Sequence, residues 1–540
     1  MQPKRSFRKV ESVVFATLSA ALIFATPGVV VGGGESFPVA SAAPRGGSVA
    51  VVPVGATKLA RVTGQTRPGE TVPNPNQTDT RYAVAGTDLG IIWDGGDGRC
   101  LIVFGDTYGA GWGGFGGGPA HADWRSNVLA FSSDRNPHDG LSFEGMTTDR
   151  PKHAAEILSS LKIDDEEHTV IPTAGLSVGR RQIVHYMSVN SWPLNRPWLT
   201  NYGGLAYSDN GGRTWIKARG AIWRNDSHNR DPFQMAALVK EGGWVYFFGT
   251  AAGRQGAVYL ARVPQARVLQ KSAYVYWNGA DFHARAESEA QPIVPGPVSE
   301  LSIAYNRHFG RWLMTYLSPQ RDAIVLRDAP ALTGPWTGEK IVLRGVGFPG
   351  IYGGFIHPWF NGGEEMYWML SEWPLYNVSW MRSGLVAAPA DEAGNLLSDA
   401  GFEDDISSNG LSAPWQLEGE GGRDRGLAHG GRNNAFLRHN KSGWNRLAQT
   451  VAVRPGQRYR FTAWVRTSPN HRGGAVGVRS LNGIVLSEKS FANPGVYTLL
   501  AFDFTPDRHT TQLQIFVGLR VLHNQDTWLQ IDDLKVIPVF

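Results

Sequence analysis

Residues 86–109 read GTDLGIIWDGGDGRCLIVFGDTYG. Two apolar runs, Leu89–Trp93 and Leu101–Phe104, flank the turn-rich DGGDGR, which is the pattern of a β-hairpin. Closing the hairpin at its glycines sets residue 88 roughly opposite residue 105, so Asp88 and Asp106 come to the same end of the paired strands. Two acids on one rim can be a catalytic pair, a metal site or solvated strand ends. The hairpin is also the first of a series. Four later segments repeat its order of an inner run, a Gly-rich turn, an aromatic-rich run and a third strand-like run. The inner runs are TDLGIIW, HTVIPTAGLSV, FQMAALVKEGG, SELSIAYNRHFG and GGFIHPWFNGG, starting near residues 87, 168, 233, 300 and 353 at spacings of 53 to 81.

Units of that length, built of three or four antiparallel strands, predict an all-β chain that begins with a five-bladed β-propeller over residues 81–390. Fourth strands are expected around LSFEG, WIKARGAIW, AYVYWNG and EKIVL. The last blade is expected to borrow KLARVTG, Lys58–Gly64, from the 43–80 linker. A two-sheet sandwich is the alternative, and it leaves the repeated internal order unexplained. SDNGGRTW at Ser208–Trp215 is close to the Asp-box pattern S-x-D-x-G-x-T-W of propeller hairpins, with Asn210 at the Asp position, and LTGPWT at Leu332–Thr337 resembles the blade turns of furanosidase propellers.

At 540 residues the chain is too long for one ordinary core, and 11% aromatic residues with 66 glycines fit many short strands joined by tight turns. Lys4, Arg5, Arg8 and Lys9, the apolar Val13–Ala25 and the small-residue Ala40-Ser41-Ala42 read as a secretory signal over residues 1–42, with the mature chain starting near Ala43. An uncleaved anchor is the alternative, although Thr26-Pro27-Gly28 interrupts an apolar run already short for a bilayer. Losing four basic and two acidic residues with the signal lowers the net charge from +5 to +3, too little for a nucleic-acid partner. No second apolar segment approaches the ~20 residues of a membrane span. Cys100 is the lone cysteine, so no intrachain disulfide can form and stability rests on the core.

After residue 390 the rhythm changes. Alternation in Tyr459–Val465 and Gln512–Val517 predicts half-buried strands. Residues 391–540 resemble, almost end to end, the β-sandwich (jelly-roll) modules of carbohydrate-binding type. That resemblance implies a structural calcium held by Glu403 and Asp532, one near the first strand and one near the last; solvated strand ends are the other reading. Trp415, Trp444 and Trp528 either stack on sugar rings or belong to the core.

Inner strands of a propeller surround a channel, where polar residues of different blades converge. Asp88, Glu166, Glu167, His168, Asp231, Gln234, Glu300 and His357 stand on the inner runs. Several carboxylates in one channel fit glycoside hydrolysis, in which one protonated acid releases the leaving oxygen and one ionised group activates water or attacks the sugar, with no cofactor. Asp231 and Gln234 are expected to bind substrate. His168 and His357 bind hydroxyls or form core hydrogen bonds, and Trp192, Trp198, Tyr202, Trp359 and Trp373 stack on furanose rings or pack the core.

The phrases GTDLG, FGDTYG, HTVIPT, TNYGGLAYSDNGGRTW, FGTAAGRQGAVYLARV, PGPVSELSIAYN and YGGFIHPW, over about residues 80–388, resemble a secreted actinobacterial family once called domain of unknown function 4185. Its members are known as endo-D-arabinanases, glycoside hydrolase family 183, acting on the D-arabinan of arabinogalactan and lipoarabinomannan. The resemblance implies that arabinan polysaccharide as partner, a secreted or wall-associated location, and Asp88 and Asp106 as leading catalytic residues. Glu300 stands where related five-bladed furanosidases often place their general acid. Two other functions compete. A sialidase-like enzyme needs three converging arginines, which the inner runs do not supply, and a non-catalytic lectin would use the channel acids only to bind hydroxyls.

Overall fold

Each of the five repeats folds as an antiparallel sheet whose strands lie side by side in chain order. The computed structural model describes residues 49–193, 197–283, 286–389, 395–403, 410–430, 432–439, 443–492, 494–521 and 525–539. The expected signal, 1–42, and the change of rhythm at 391–394 lie outside them.

The first sheet runs Gly86–Asp94, Cys100–Tyr108, Val128–Ser132, Gly145–Met146, and the second Thr169–Val178, Arg181–Ser191, Leu199–Ser208, Ile216–Arg224. The third runs Met235–Glu241, Trp244–Thr250, Val258–Pro264, Val275–Tyr276, and the fourth Leu301–Asn306, Arg311–Ser318, Ala323–Ala329, Lys340–Arg344. In the fifth, Ile351–Ile356, Glu365–Glu372 and Asn377–Pro389 are completed by Val49–Arg61, which arrives from the other end of the chain. That strand begins nine residues before the expected Lys58–Gly64, because the apolar Val49–Val54 also finds partners, in Gly384–Pro389.

Burial explains the two kinds of strand pattern. Every residue of Cys100–Tyr108 and of Ala323–Ala329 is buried, so these strands are covered on both faces and read as continuous apolar runs. Outer strands such as Lys340–Arg344 are half-exposed and mix charged with apolar residues. The five first strands meet one another in chain order, and the fifth packs back on the first. All five also line one cavity of about 640 Å³. In the hairpin at Ser208–Trp215, Asn210 Oδ1 accepts from the Ser208 hydroxyl (2.9 Å) and the Thr214 amide (3.0 Å), so Asn closes the turn in place of Asp.

The C-terminal residues form two five-stranded sheets. One is ordered Gln416–Glu418, Gly443–Ala452, Gln512–Val521, Gly474–Arg479, Val485–Phe491; the other Gly421–Arg425, Asn433–His439, Thr527–Pro538, Tyr459–Thr467, Thr498–Phe504. Leu447, Val517, Phe461 and Ile531 from the two sheets share one core. Trp415 belongs there too, packed on Phe402, which removes it from the sugar-stacking candidates. The pair of sheets bonds to the fourth sheet's surroundings through Gly338 N to Asn395 O (3.0 Å) and Glu339 N to Ser398 Oγ (2.9 Å).

Candidate active site

The starts of the first strands gather at one end of the ring. Asp88 stands in an irregular part of its ladder, where Thr87 pairs with Thr107 but Leu89 already pairs with Phe104, so it faces Gly105 and Asp106. Leu89 holds a left-handed φ of 69°, a costly conformation for a non-glycine residue, and exchanges hydrogen bonds with Ser371 at 2.8 and 3.3 Å. Gly105 is required there: a Cβ would come within 2.2 Å of Asp88 Oδ1.

Asp88 Oδ2 accepts a hydrogen bond from the Tyr352 hydroxyl (3.0 Å), while Oδ1 is buried without a partner. Burial, and then the neighbouring Asp106 charge, push its carboxyl up to about 8. Asp106 Oδ1 accepts from Trp124 Nε1 (2.8 Å) and the Thr169 hydroxyl (2.6 Å). Burial raises Asp106 to about 7, and those two bonds oppose the shift. The hairpin alone thus brings both acids to one end of the paired strands; Tyr352 of the fifth sheet holds Asp88, while Trp124 of the first sheet and Thr169 of the second hold Asp106.

Glu300 reaches the same end as half of an ion pair. Arg254 grips both of its oxygens, Nη2 to Oε1 at 2.7 Å and Nε to Oε1 and Oε2 at 3.0 and 3.3 Å. The guanidinium lies 5.3 Å from the Trp198 ring centre and 5.1 Å from that of Tyr352, so it is wedged between two aromatic faces. His168 borders Asp106 through Trp124, whose ring is 5.2 Å away. Trp373 is half-exposed beside Tyr376, a ring whose hydroxyl feels both aspartate charges.

Other expected site residues lie elsewhere or are otherwise engaged. Gln234 is fully buried, accepting from Thr200 (2.7 Å) and donating to Trp223 O (3.1 Å) and Asp231 (3.0 Å). Asp231 also accepts from the Phe233 amide (3.0 Å), so the two pin the second sheet to the third. His357 and Trp359 sit past the far end of the fifth sheet's first strand, away from the acids. His357 is buried on Phe360, and burial lowers its pKa to about 3; Trp359 donates to Asp94 (2.9 Å), the residue that ends the first strand. Glu403 accepts from the backbone of Arg432 (2.7 Å) and Asn433 (2.8 Å), and Asp532 from His429 (2.7 Å) and Gly430 (3.1 Å). These N–H bonds tie His429, Gly430, Arg432 and Asn433 to the two carboxylates.

Tyr352, Arg254, Trp124 and Thr169 were not singled out by sequence reasoning. Thr169 and Tyr352 carry a positional signal, each opening a first strand as Asp88 does. Arg254 stands in the glycine-rich loop after the third sheet's second strand with a left-handed φ of 64°, and nothing local points to it.

Residues 73–382, the greater part of the chain, match the family described as Domain of unknown function (DUF4185). The chain belongs to the DUF4185 family. The matched segment holds the first four sheets and most of the fifth, and excludes the strand Val49–Arg61 and the C-terminal pair of sheets. Notoamide biosynthesis cluster protein J of an Aspergillus species is 34% identical over 315 residues, covering 55% of this chain and 82% of the fungal one. Among solved structures, a putative hydrolase from Bacteroides ovatus is similar at 15% identity and TM-score 0.41, covering 57% of this chain and 87% of its own. An exo-β-1,3-galactanase from Phanerochaete chrysosporium is similar at 10% identity and TM-score 0.36, covering 89% of this DUF4185 chain and all of its own, 100%.

Proposed function

We propose that this DUF4185 protein is an exported glycoside hydrolase, an endo-D-arabinanase that cleaves the D-arabinan of arabinogalactan and lipoarabinomannan. Its catalytic domain is a five-bladed β-propeller over residues 81–390, and residues 391–540 serve as a jelly-roll carbohydrate-binding module. The cyclic meeting of the five first strands supports the propeller. The half-exposed Trp444, flanked by Arg446 and Arg520, supports sugar contact by the module. Export rests on the leader pattern of residues 1–42.

One observation carries the catalytic reading: part-buried Asp88 and buried Asp106 stand at the same end of one hairpin, and burial pushes their carboxyls up to about 8 and 7. Burial and the Asp106 charge both disfavour ionisation of Asp88, which keeps Asp88 protonated near neutrality. We place the proton on Asp88, whose Oδ1 has no donor facing it, and leave Asp106, which accepts two hydrogen bonds, as the ionised partner. Asp88 then gives its proton to the glycosidic oxygen as the C–O bond breaks. Asp106 either takes a proton from the water whose oxygen bonds to the anomeric carbon, or itself bonds to that carbon; in the second course Asp88, now ionised, takes the proton of the water that displaces Asp106 from the sugar. Glu300, with both oxygens held by Arg254, acts as the counter-charge that fixes Arg254 beside Tyr352. A lectin has no use for two acids kept close to neutrality, which disfavours the non-catalytic reading.

Incubation of the purified protein with D-arabinan, L-arabinan and galactan tests the substrate. Release of oligosaccharides from D-arabinan alone is expected. Release from L-arabinan or galactan instead would replace the substrate while keeping the chemistry.

A further inference from the structure

The far end of the ring, where the first strands finish, opens on the cavity of about 640 Å³ and carries the opposite charge. Arg135 from the first sheet, Lys240 from the third and Arg307 from the fourth line it, against one carboxylate, Asp94. Asp94 is already committed, accepting from the Gly96 amide (2.8 Å) and from Trp359 Nε1 (2.9 Å). The partners of the cations are neutral: Arg135 donates to Gly98 O (3.0 Å) and Lys240 to the Ser177 hydroxyl (3.4 Å). Among the described residues no carboxylate pairs with any of the three. The Arg135 guanidinium lies 3.6 Å over the Trp359 ring, a stack that orients the planar fork instead of leaving it to swing in solvent.

The walls add two kinds of contact. Each first strand is the end member of its sheet, so its inner edge carries backbone N–H and C=O groups without a ladder partner. Tyr305, 43% exposed, presents a ring at the mouth and rests its other side on Trp312. Three cations against one carboxylate leave an excess of positive charge that calls for an anion. A cavity this large, with hydrogen-bonding edges and an aromatic face, exceeds what a bare inorganic anion fills. We propose that this end binds an acidic sugar, a hydroxylated ring bearing a phosphate or a carboxylate, with the anion on Arg135, Lys240 and Arg307 and the ring against Tyr305. The site is separate from the acid end and does not rest on the hydrolase reading.

Calorimetric titration of the full-length protein at low salt with glucose 6-phosphate, glucuronate, inorganic phosphate and glucose tests it. Saturable binding of at least one acidic sugar is expected, with inorganic phosphate and glucose each weaker by about tenfold or more. The tighter of the two acidic sugars identifies the anion. Raised salt should weaken the binding. The double substitution Lys240→Gln with Arg307→Gln, both at the solvent-facing mouth, should keep the thermal midpoint and lower the affinity by about tenfold or more. Failure of both acidic sugars to bind saturably would overturn the proposal. So would inorganic phosphate binding as tightly as either, or wild-type affinity in the double variant.

Discussion

The two ends of the ring are built from the same five strands and differ in what stands at each strand terminus. At the starts, Asp88, Asp106 and Glu300 meet Arg254, with Lys162 near Asp106, and the two aspartates are pushed toward neutrality all the same. At the finishes, Arg135, Lys240 and Arg307 surround a single carboxylate that is already bonded. Strain divides the same way: left-handed Leu89 and Arg254 both stand at the acid end. The difference teaches that the ladders fix the ring, while residues one or two places outside them decide what each mouth can do. Burying acids without full compensation costs stability, and such a cost is expected where chemistry needs a held proton.

The largest effect is expected at the acids themselves. Asp88→Asn or Asp106→Asn should lower turnover of D-arabinan by roughly 10³-fold or more, measured after circular dichroism confirms the fold. The same variants should be more stable than wild type in alkali. Both folded values lie above the ordinary 3.8, so the stabilising contribution of each protonated acid is complete at low pH and is lost as pH rises toward 7 to 8. Thermal melts at pH 5 and 9 check the sign, with the advantage of the variants appearing at pH 9.

Next comes Gly105→Ala. The added methyl group meets Asp88 Oδ1 at 2.2 Å and must displace it, so kcat should fall by roughly 10²-fold while the hairpin survives. Tyr352→Phe is milder, about tenfold. It removes a bond that lowers the Asp88 value, so the alkaline limb of the pH–rate profile should move to higher pH. A limb that moved down would mean that Asp88 is not the proton donor. The smallest effect on chemistry is expected from His357→Gln at the other end. It should cost about 1–2 kcal/mol of stability, read by urea melts, and leave both limbs in place because His357 is already neutral above about 3.

Much of this contrast was legible in the sequence, and its gaps have physical causes. Strand order followed from the repeated runs because fully covered strands are continuously apolar, and Asp88 with Asp106 followed from the short turn between them. Which end of a run faces the acids was harder. GGFIHPW reads as one inner segment beginning at Gly353, yet the strand starts at Ile351, putting Tyr352 at the acid end and sending His357 and Trp359 to the other. Arg254 comes to Glu300 from 46 positions away along the chain, a tertiary contact with no local pattern. Gln234 stands one residue before the strand Met235–Glu241, and only its bonds to Thr200, Trp223 and Asp231 reveal a structural role. The closing strand was expected at Lys58–Gly64 and runs Val49–Arg61, so the two overlap at Lys58–Arg61; pairing across most of the chain leaves no local period to set where the strand starts.

The central claim, that the Asp88 and Asp106 pair cleaves D-arabinan, is tested most directly by one comparison of released products. Wild-type protein and folded Asp88→Asn are incubated side by side with D-arabinan at pH 7.5, and soluble oligosaccharides are quantified over time. Steady release by the wild type and roughly 10³-fold less by the variant is the predicted result. No release by folded wild type, or release by Asp88→Asn at the wild-type rate, would contradict it.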